Sequence, residues 1–149
     1  MPDINLSFVV EDAFNDDIVQ AIDSGIPTSF TYIVKLFRKR NFWTDDHIKT
    51  WKFYHTIVYD SLREEYSVEL DEKIAVELTR DFQVAKDYLV QGRNIELSSV
   101  PELSSGSDYY LKIRAELAPV TLPFHLEYMF FFVKLWDFET DWLTYDFSL

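Results

Sequence analysis

The sequence has no cysteine among its 149 residues and only three glycines. The absence of cysteine excludes disulfides, thiolate catalysis and zinc–cysteine sites. A loop that cradles phosphate needs several neighbouring glycines, because backbone amides must approach the anion closely. Gly25, Gly92 and Gly106 lie far apart along the chain, so the sequence contains no nucleotide-binding loop of that kind.

Basic residues and long apolar runs are scarce as well. Lysine and arginine number 14 against 26 aspartates and glutamates, which gives a formal net charge of −12. This balance disfavours nucleic acid as a partner, because a duplex-binding protein neutralises phosphates with a basic face. The most apolar segment, residues 123–136, contains His125, Glu127 and Lys134. It is shorter than the about 20 residues of a transmembrane helix.

Motifs for catalysis are missing too. No serine lies in a Gly-x-Ser-x-Gly turn, and none is followed three residues later by lysine. The three histidines lack the spacing of metal ligands. His55 alternates with Trp51, Phe53 and Ile57, a pattern typical of a core histidine. The sequence therefore predicts a protein that is not an enzyme, with no catalytic residue, metal or cofactor.

The residues that are present predict one folded domain over residues 1–149. Apolar residues make up 48% of the chain and aromatic residues 17%, which argues against disorder. A chain of this length can bury a substantial core. Aromatic residues favour strands, and several segments alternate between apolar and polar residues, beginning with the strand "INLSFVV".

A first helix is predicted after this strand. Asn15 is a suitable N-cap, and Asp16 and Asp17 follow in the first turn, where the helix dipole favours carboxylates. Gly25 stands where a left-handed glycine would end the helix. Pro27 cannot continue the helix. The segment "SGIP" is therefore interpreted as a hinge between helix and strand.

The remaining pattern predicts an antiparallel β-domain. "TSFTYIVKLFRKR" is predicted to be a central, covered strand, and "EEYSVEL" and "KIAVELT" are predicted to form a hairpin around the turn residues Asp71 and Glu72. A helix capped by Asp81 is expected to end at Gly92, and another, buried helix to open at Pro123. The fold class is α+β: an antiparallel sandwich or partly open barrel of seven to eight strands with two or three short helices. The closing strand is expected to point three side chains inward: Leu143, Tyr145 and Phe147.

Two charge clusters are candidate binding sites. Lys35, Arg38 and Arg40 belong to the basic run "KLFRKR", which either guards a sheet edge or pairs with acids of the first 34 residues. Its functional interpretation is contact with an anion, such as a phospholipid headgroup or an acidic partner.

The second cluster is acidic. In an extended chain, Asp137, Glu139 and Asp141 of "WDFETDW" would point the same way and could hold a hard cation. No calcium-loop glycine accompanies them. A solvated face, or a turn in which Thr140 and Asp141 bond backbone amides, is the alternative.

Several of these segments together resemble one family. The chain is similar, from about Leu6 to Phe147, to an uncharacterised bacterial family of domains of unknown function, predicted to be exported or membrane-anchored, of the deltaproteobacterial type. The motifs that carry the resemblance are Ser24-Gly25-Ile26-Pro27, Tyr59-Asp60, Tyr66, Leu122-Pro123 and Leu135-Trp136 through Thr140-Asp141-Trp142. The resemblance implies the periplasm or cell envelope, and an exported domain whose signal or anchor segment is not in this chain.

Two functions stay open at this point. The first is a non-enzymatic module that binds an envelope protein through a sheet edge or the aromatic C-terminal segment, with membrane proximity possible. The second is a small-molecule or lipid-binding β-domain with an aromatic-lined pocket. The candidate binding residues are Tyr128, Phe131, Trp136, Trp142, Lys35, Arg38 and Arg40. Four further residues are assigned structural duties: Gly25, Pro27, Gly92 and Pro123.

Overall fold

The computed structural model describes residues 4–119 and 140–148 of the chain. This part contains eight strands and two α-helices, and a 3₁₀ turn (Asp71–Lys73) joins the fourth strand to the fifth. Neither helix is long and apolar enough to cross a membrane. The elements in chain order are β1 (Ile4–Val9), α1 (Asp16–Asp23), β2 (Thr28–Arg38), β3 (Asp46–Asp60), β4 (Glu65–Leu70), β5 (Ala75–Thr79), α2 (Phe82–Val90), β6 (Gln91–Leu97), β7 (Asp108–Pro119) and β8 (Leu143–Ser148).

The strands form two antiparallel sheets. The larger has the order β5-β4-β3-β2-β7-β8, and the smaller consists of β1 and β6. In the described part of the chain neither sheet closes into a barrel, so the predicted α+β sandwich class is confirmed. β2 lies inside the larger sheet between β3 and β7, as its apolar character predicted.

The core lies between the inner face of the larger sheet and a layer made of the smaller sheet and both helices. Phe30, Tyr32, Val34 and Leu36 alternate along β2 and are completely buried. The ring of Phe8 on β1 lies 4.8 Å from that of Tyr32. We call the opposite side of the larger sheet, which carries the intervening residues of β2, the outer face.

Three of the predicted helix caps are confirmed: Asn15, Asp81 and Gly25. The Asn15 side chain accepts a hydrogen bond from the Ile18 amide at 2.9 Å, and Asp81 accepts from the first amides of α2. Gly25 has φ +80°, the left-handed conformation that ends a helix at little steric cost in glycine. The Ile26 amide then donates to the Ala21 carbonyl. "SGIP" is therefore the hinge between α1 and β2.

Two structural predictions are wrong. Gly92 does not end a helix: α2 stops at Val90, and Gly92 lies within β6 opposite Phe8. Leu143 and Tyr145 share the side of β8 that Phe147 occupies, but each is 64% exposed, because among the described elements none of the covering layer reaches these two residues. The helix predicted at Pro123 lies outside the described residues.

Candidate functional site

A group of cations and aromatic rings occupies the outer face around β2 and β7. Antiparallel register brings Lys35 opposite Lys112, and Phe37 opposite Tyr110, and residues opposite each other project from the same side of a sheet. We call the set Lys35, Phe37, Tyr110, Lys112, Arg114 and Trp142 the cationic patch.

The aromatic rings of the patch make cation–π contacts with its lysines and arginine. Trp142 lies between two of them, with the Lys35 Nζ atom 5.1 Å and the Arg114 guanidinium carbon 4.7 Å from its ring centroid. Phe37 and Tyr110 stack at 5.1 Å with an interplanar angle of 9°. The Lys112 Nζ atom lies 5.6 Å from the Phe37 centroid. Each such contact contributes about 0.5–1 kcal/mol at an exposed site.

The pairing of the two lysines is unfavourable by itself. Like charges directly opposite each other in a sheet are destabilising. Among the described residues, neither Lys35 nor Lys112 forms an ion pair at contact distance, although the Asp45 carboxylate, which accepts from the Tyr110 hydroxyl at 2.7 Å, attracts Lys112 at longer range. An anion bound over both lysines would remove this repulsion.

The other predicted cations are bound within the fold. Arg38 and Arg40 both contact Asp46 at the start of β3, at 2.5 and 2.6 Å, and Lys39 contacts Asp146 at 2.9 Å. Neither acid belongs to the first 34 residues, and β2 is not an edge strand, so neither structural explanation of "KLFRKR" was correct.

Of the binding residues predicted in the C-terminal segment, one lies in the cationic patch. Trp142 joins Lys35 in the patch, whereas Tyr128, Phe131 and Trp136 lie outside the described residues. Arg114 and Lys112 were not predicted, because their meeting with Lys35 depends on the β2–β7 pairing.

Asp46 supports a pH-dependent prediction. The hydrogen bond from Arg38 is the largest of the effects that lower the pKa of the Asp46 carboxyl, and Arg40 adds to it. A lowered pKa means that stability from these bonds is present above the ordinary value of 3.8 and is lost as the pH falls through the folded-state value. We expect carboxyl NMR titration to place the pKa of Asp46 below 3.8, and Arg38→Ala to raise it. Lys39→Ala, which removes a cation bonded to Asp146 instead, is the control, and equal shifts in both variants would contradict the assignment.

The acidic candidates are only partly described. Asp141 is exposed, and Asp137 and Glu139 lie outside the described residues, so the cation hypothesis stays a prediction. Thr140 bonds the backbone of a strand distant in sequence. Its amide donates to the Ala115 carbonyl on β7, and its hydroxyl oxygen accepts from the Ala115 amide, both at 2.9 Å. These bonds fix the position of Trp142.

A second group of bonded polar side chains, around His55, lies in the core. Sequence reasoning identified only part of it. His55 is completely buried, as predicted, but it is also bonded at both nitrogens. Its Nδ1 lies 3.0 Å from the Leu89 carbonyl, and its Nε2 lies 2.8 Å from the Glu72 carboxylate. The Tyr32 hydroxyl donates to the same Leu89 carbonyl at 2.6 Å. The imidazole thus bridges the Leu89 carbonyl on one side and the Glu72 carboxyl group on the other.

Glu72 also borders a cleft of about 240 Å³ between β3, the 3₁₀ turn and β6. Its side chain is 9% exposed, and its Oε2 atom is buried with no hydrogen-bond partner in the described part of the chain. Asp71 beside it accepts from the Tyr54 amide at 2.7 Å, and burial raises the pKa of the Asp71 carboxyl. The cleft is also lined by Trp51, Phe53, Ile95 and Glu96. A cleft with these walls suits a small polar ligand. Among the described residues, no set of three metal-ligating side chains converges.

The fold and these two sites define an α+β domain with a cationic, aromatic surface and a small acidic cleft. Over residues 3–146 the chain matches the family described as "Domain of unknown function (DUF4390)", and it belongs to that family. The resemblance to an uncharacterised family of domains is thereby confirmed. No curated protein and no solved structure matches the chain.

Proposed function

We propose that this domain is a non-enzymatic binding module whose cationic patch engages an acidic segment of a partner protein. The observation that carries the proposal is the pairing of Lys35 with Lys112 across β2 and β7. Two lysines that face each other raise the free energy of the unbound domain, and a carboxylate placed over both lowers it. The flat ring of Trp142 beside them adds an apolar contact surface.

The net charge of the domain favours a short acidic segment over an extended anionic surface as the partner. A chain of −12 repels an extended anionic surface, such as a nucleic acid or an acidic membrane, at long range. A short acidic segment that reaches Lys35 and Lys112 interacts with them within the Debye length of about 8 Å at physiological salt. An acidic peptide is therefore favoured over a lipid surface.

The other parts of this proposal rest on the sequence. A non-enzymatic role is supported by the lack of any nucleophile motif. A location in the periplasm or cell envelope is supported by the resemblance to exported or membrane-anchored proteins. Envelope extract is therefore the material in which the partner should be sought.

We expect charge reversal in the patch to abolish partner binding. Tagged wild-type domain, cross-linked in envelope extract of the native organism, should retain a protein that the Lys35→Glu/Lys112→Glu variant does not. Trp142→Ala should weaken the same interaction by about tenfold, as expected for a contact residue worth about 1.4 kcal/mol. Binding should also fall as salt is raised, because the contact is ionic.

Arg63→Glu is the control for the single variant Lys35→Glu, which changes the net charge by the same amount, because Arg63 is an exposed cation on a turn away from the patch. It should leave the captured protein unchanged, while circular dichroism checks that all variants are folded. If Arg63→Glu removes the partner as completely as Lys35→Glu, net charge rather than the patch governs binding. The proposal is also rejected if the captured protein has no acidic segment.

Small-molecule binding is a second candidate function, favoured by the cleft beside Glu72. Its volume of about 240 Å³ is below the roughly 300–1,000 Å³ typical of ligand pockets, and a buried carboxylate oxygen there has no donor among the described residues. These features suit a small ligand that carries N–H groups. Native mass spectrometry of domain purified from its own envelope would detect such a ligand, and adduct-free protein would count against it.

A further inference from the structure

In the part of the chain that the structure describes, β8 is an edge strand of the larger sheet and carries a single charged residue, Asp146. Among the described residues β8 pairs only with β7. Natural edge strands are commonly blunted by lysine, proline or bulges, whereas β8 has the sequence "LTYDFS" and pairs with β7 in unbroken register. Leu143 and Tyr145 are each 64% exposed on one side of the strand. Phe147 completes the row and stacks on Tyr109.

The residues of β8 are complementary to themselves in an antiparallel pair. If two copies of β8 pair about a two-fold axis through Tyr145, Tyr145 faces its own copy and Leu143 faces Phe147 of the other chain. The apolar row is then continuous across both strands. On the other side Thr144 faces Asp146, whose carboxylate is already bonded to Lys39 at 2.9 Å. No like charges stand directly opposite each other in this pair of strands.

The opposite edge of the sheet does not have this property. β5 exposes Val76 and Leu78, at 59% and 61%, and is therefore as apolar at its surface as β8. A two-fold axis through its central residue, however, places Glu77 directly opposite Glu77 of the second copy. Directly opposed like charges are destabilising. In this centred register, β8 is the one of the larger sheet's two described edge strands that avoids directly opposed like charges.

We propose that β8 is a self-association edge, along which a second copy of this chain adds antiparallel and joins two larger sheets into one. This inference is independent of the proposed function, because it uses a different surface. One strand pair buries less than the about 1,000 Å² of a stable interface, so the dimer is weak and forms as concentration rises. Two chains of −12 each repel one another, so added salt strengthens the dimer, opposite to its effect on the patch.

The absence of cysteine allows a direct test of the register. Residues that face each other in an antiparallel pair have Cα atoms about 4.5 or 5.5 Å apart, and both distances permit a disulfide. Under mild oxidation of concentrated protein, Tyr145→Cys should form a disulfide dimer in most of the sample. Leu143→Cys, at an equally exposed position of β8 that faces Phe147 and not its own copy in this register, should form at least about tenfold less.

Sedimentation velocity of the unaltered chain provides the second measurement. The average mass should rise above 17.7 kDa with concentration and salt. Tyr145→Lys should keep the average mass at the monomer value, whereas Val76→Lys should leave its rise with concentration unchanged. Equal cross-linking of the two cysteine variants, or a monomer mass for the unaltered chain at every concentration, overturns the proposal.

Discussion

Replacement of His55 by leucine should lower the free energy of unfolding by about 3 kcal/mol, because it leaves the Glu72 carboxylate buried without its partner. Leucine keeps much of the volume of the imidazole, so the effect is mainly electrostatic. Removal of one member of a buried ion pair typically costs about 3–5 kcal/mol. The lower end applies here because Glu72 borders the cleft, where water can approach after a small rearrangement. Urea unfolding followed by circular dichroism would measure the change.

A double variant separates the ion pair from packing. Replacement of both partners of a buried ion pair by apolar residues is often neutral or stabilising, so His55→Leu/Glu72→Leu should recover most of the lost free energy. His47→Leu, which replaces an exposed histidine on the same strand, should change it by less than about 0.5 kcal/mol. A double variant as unstable as His55→Leu alone would show that the pair with Glu72 is not the cause.

The sequence was informative about the fold wherever structure depends on neighbouring residues. The apolar residues on both faces of β2 predicted a central, covered strand, and the caps at Asn15 and Gly25 follow from side-chain chemistry within one helical turn. The hairpin of β4 and β5 was predicted because its strands are adjacent in sequence. The exposure of Tyr145 was not, because it depends on how far the covering layer extends over β8.

The candidate sites were less accessible to sequence reasoning. Lys35 was identified as a candidate, but Lys112 lies 77 positions further along, and no local pattern joins them. His55 was correctly placed in the core from its alternation with Phe53. Its bond to Glu72 was missed because Glu72 was interpreted only as part of a turn. A buried histidine needs partners for both nitrogens, and that requirement, applied to the sequence, would have prompted a search for an acid.

Gly92→Ala should destabilise the domain by about 2 kcal/mol, within the range for overpacking. A Cβ atom at this position would lie 2.3 Å from the Phe8 Cε1 atom and 2.6 Å from the Ile95 Cδ1 atom. The Phe8 ring cannot simply move aside, because it packs between Tyr32 and Phe53, with centroid distances of 4.8 and 6.1 Å. Gly92 is thus required by a ring that crosses β6, and not by the helix end that its sequence position suggested. Thermal or urea unfolding would measure the loss.

Two further variants distinguish this crowding from a simple loss of backbone freedom. Gly106 has φ +82°, and a Cβ atom added there would meet no described atom within 4 Å, so Gly106→Ala should cost only the left-handed strain of about 1–2 kcal/mol. Phe8→Leu shortens the ring that a Cβ atom at position 92 would meet. If crowding is the cause, Gly92→Ala should cost less in the Phe8→Leu background than alone, so the two changes combine to less than their sum. Strictly additive changes in the free energy of unfolding would instead show that the backbone of β6 requires glycine. The reason is that the two changes are coupled only if the side chains at positions 8 and 92 are in contact.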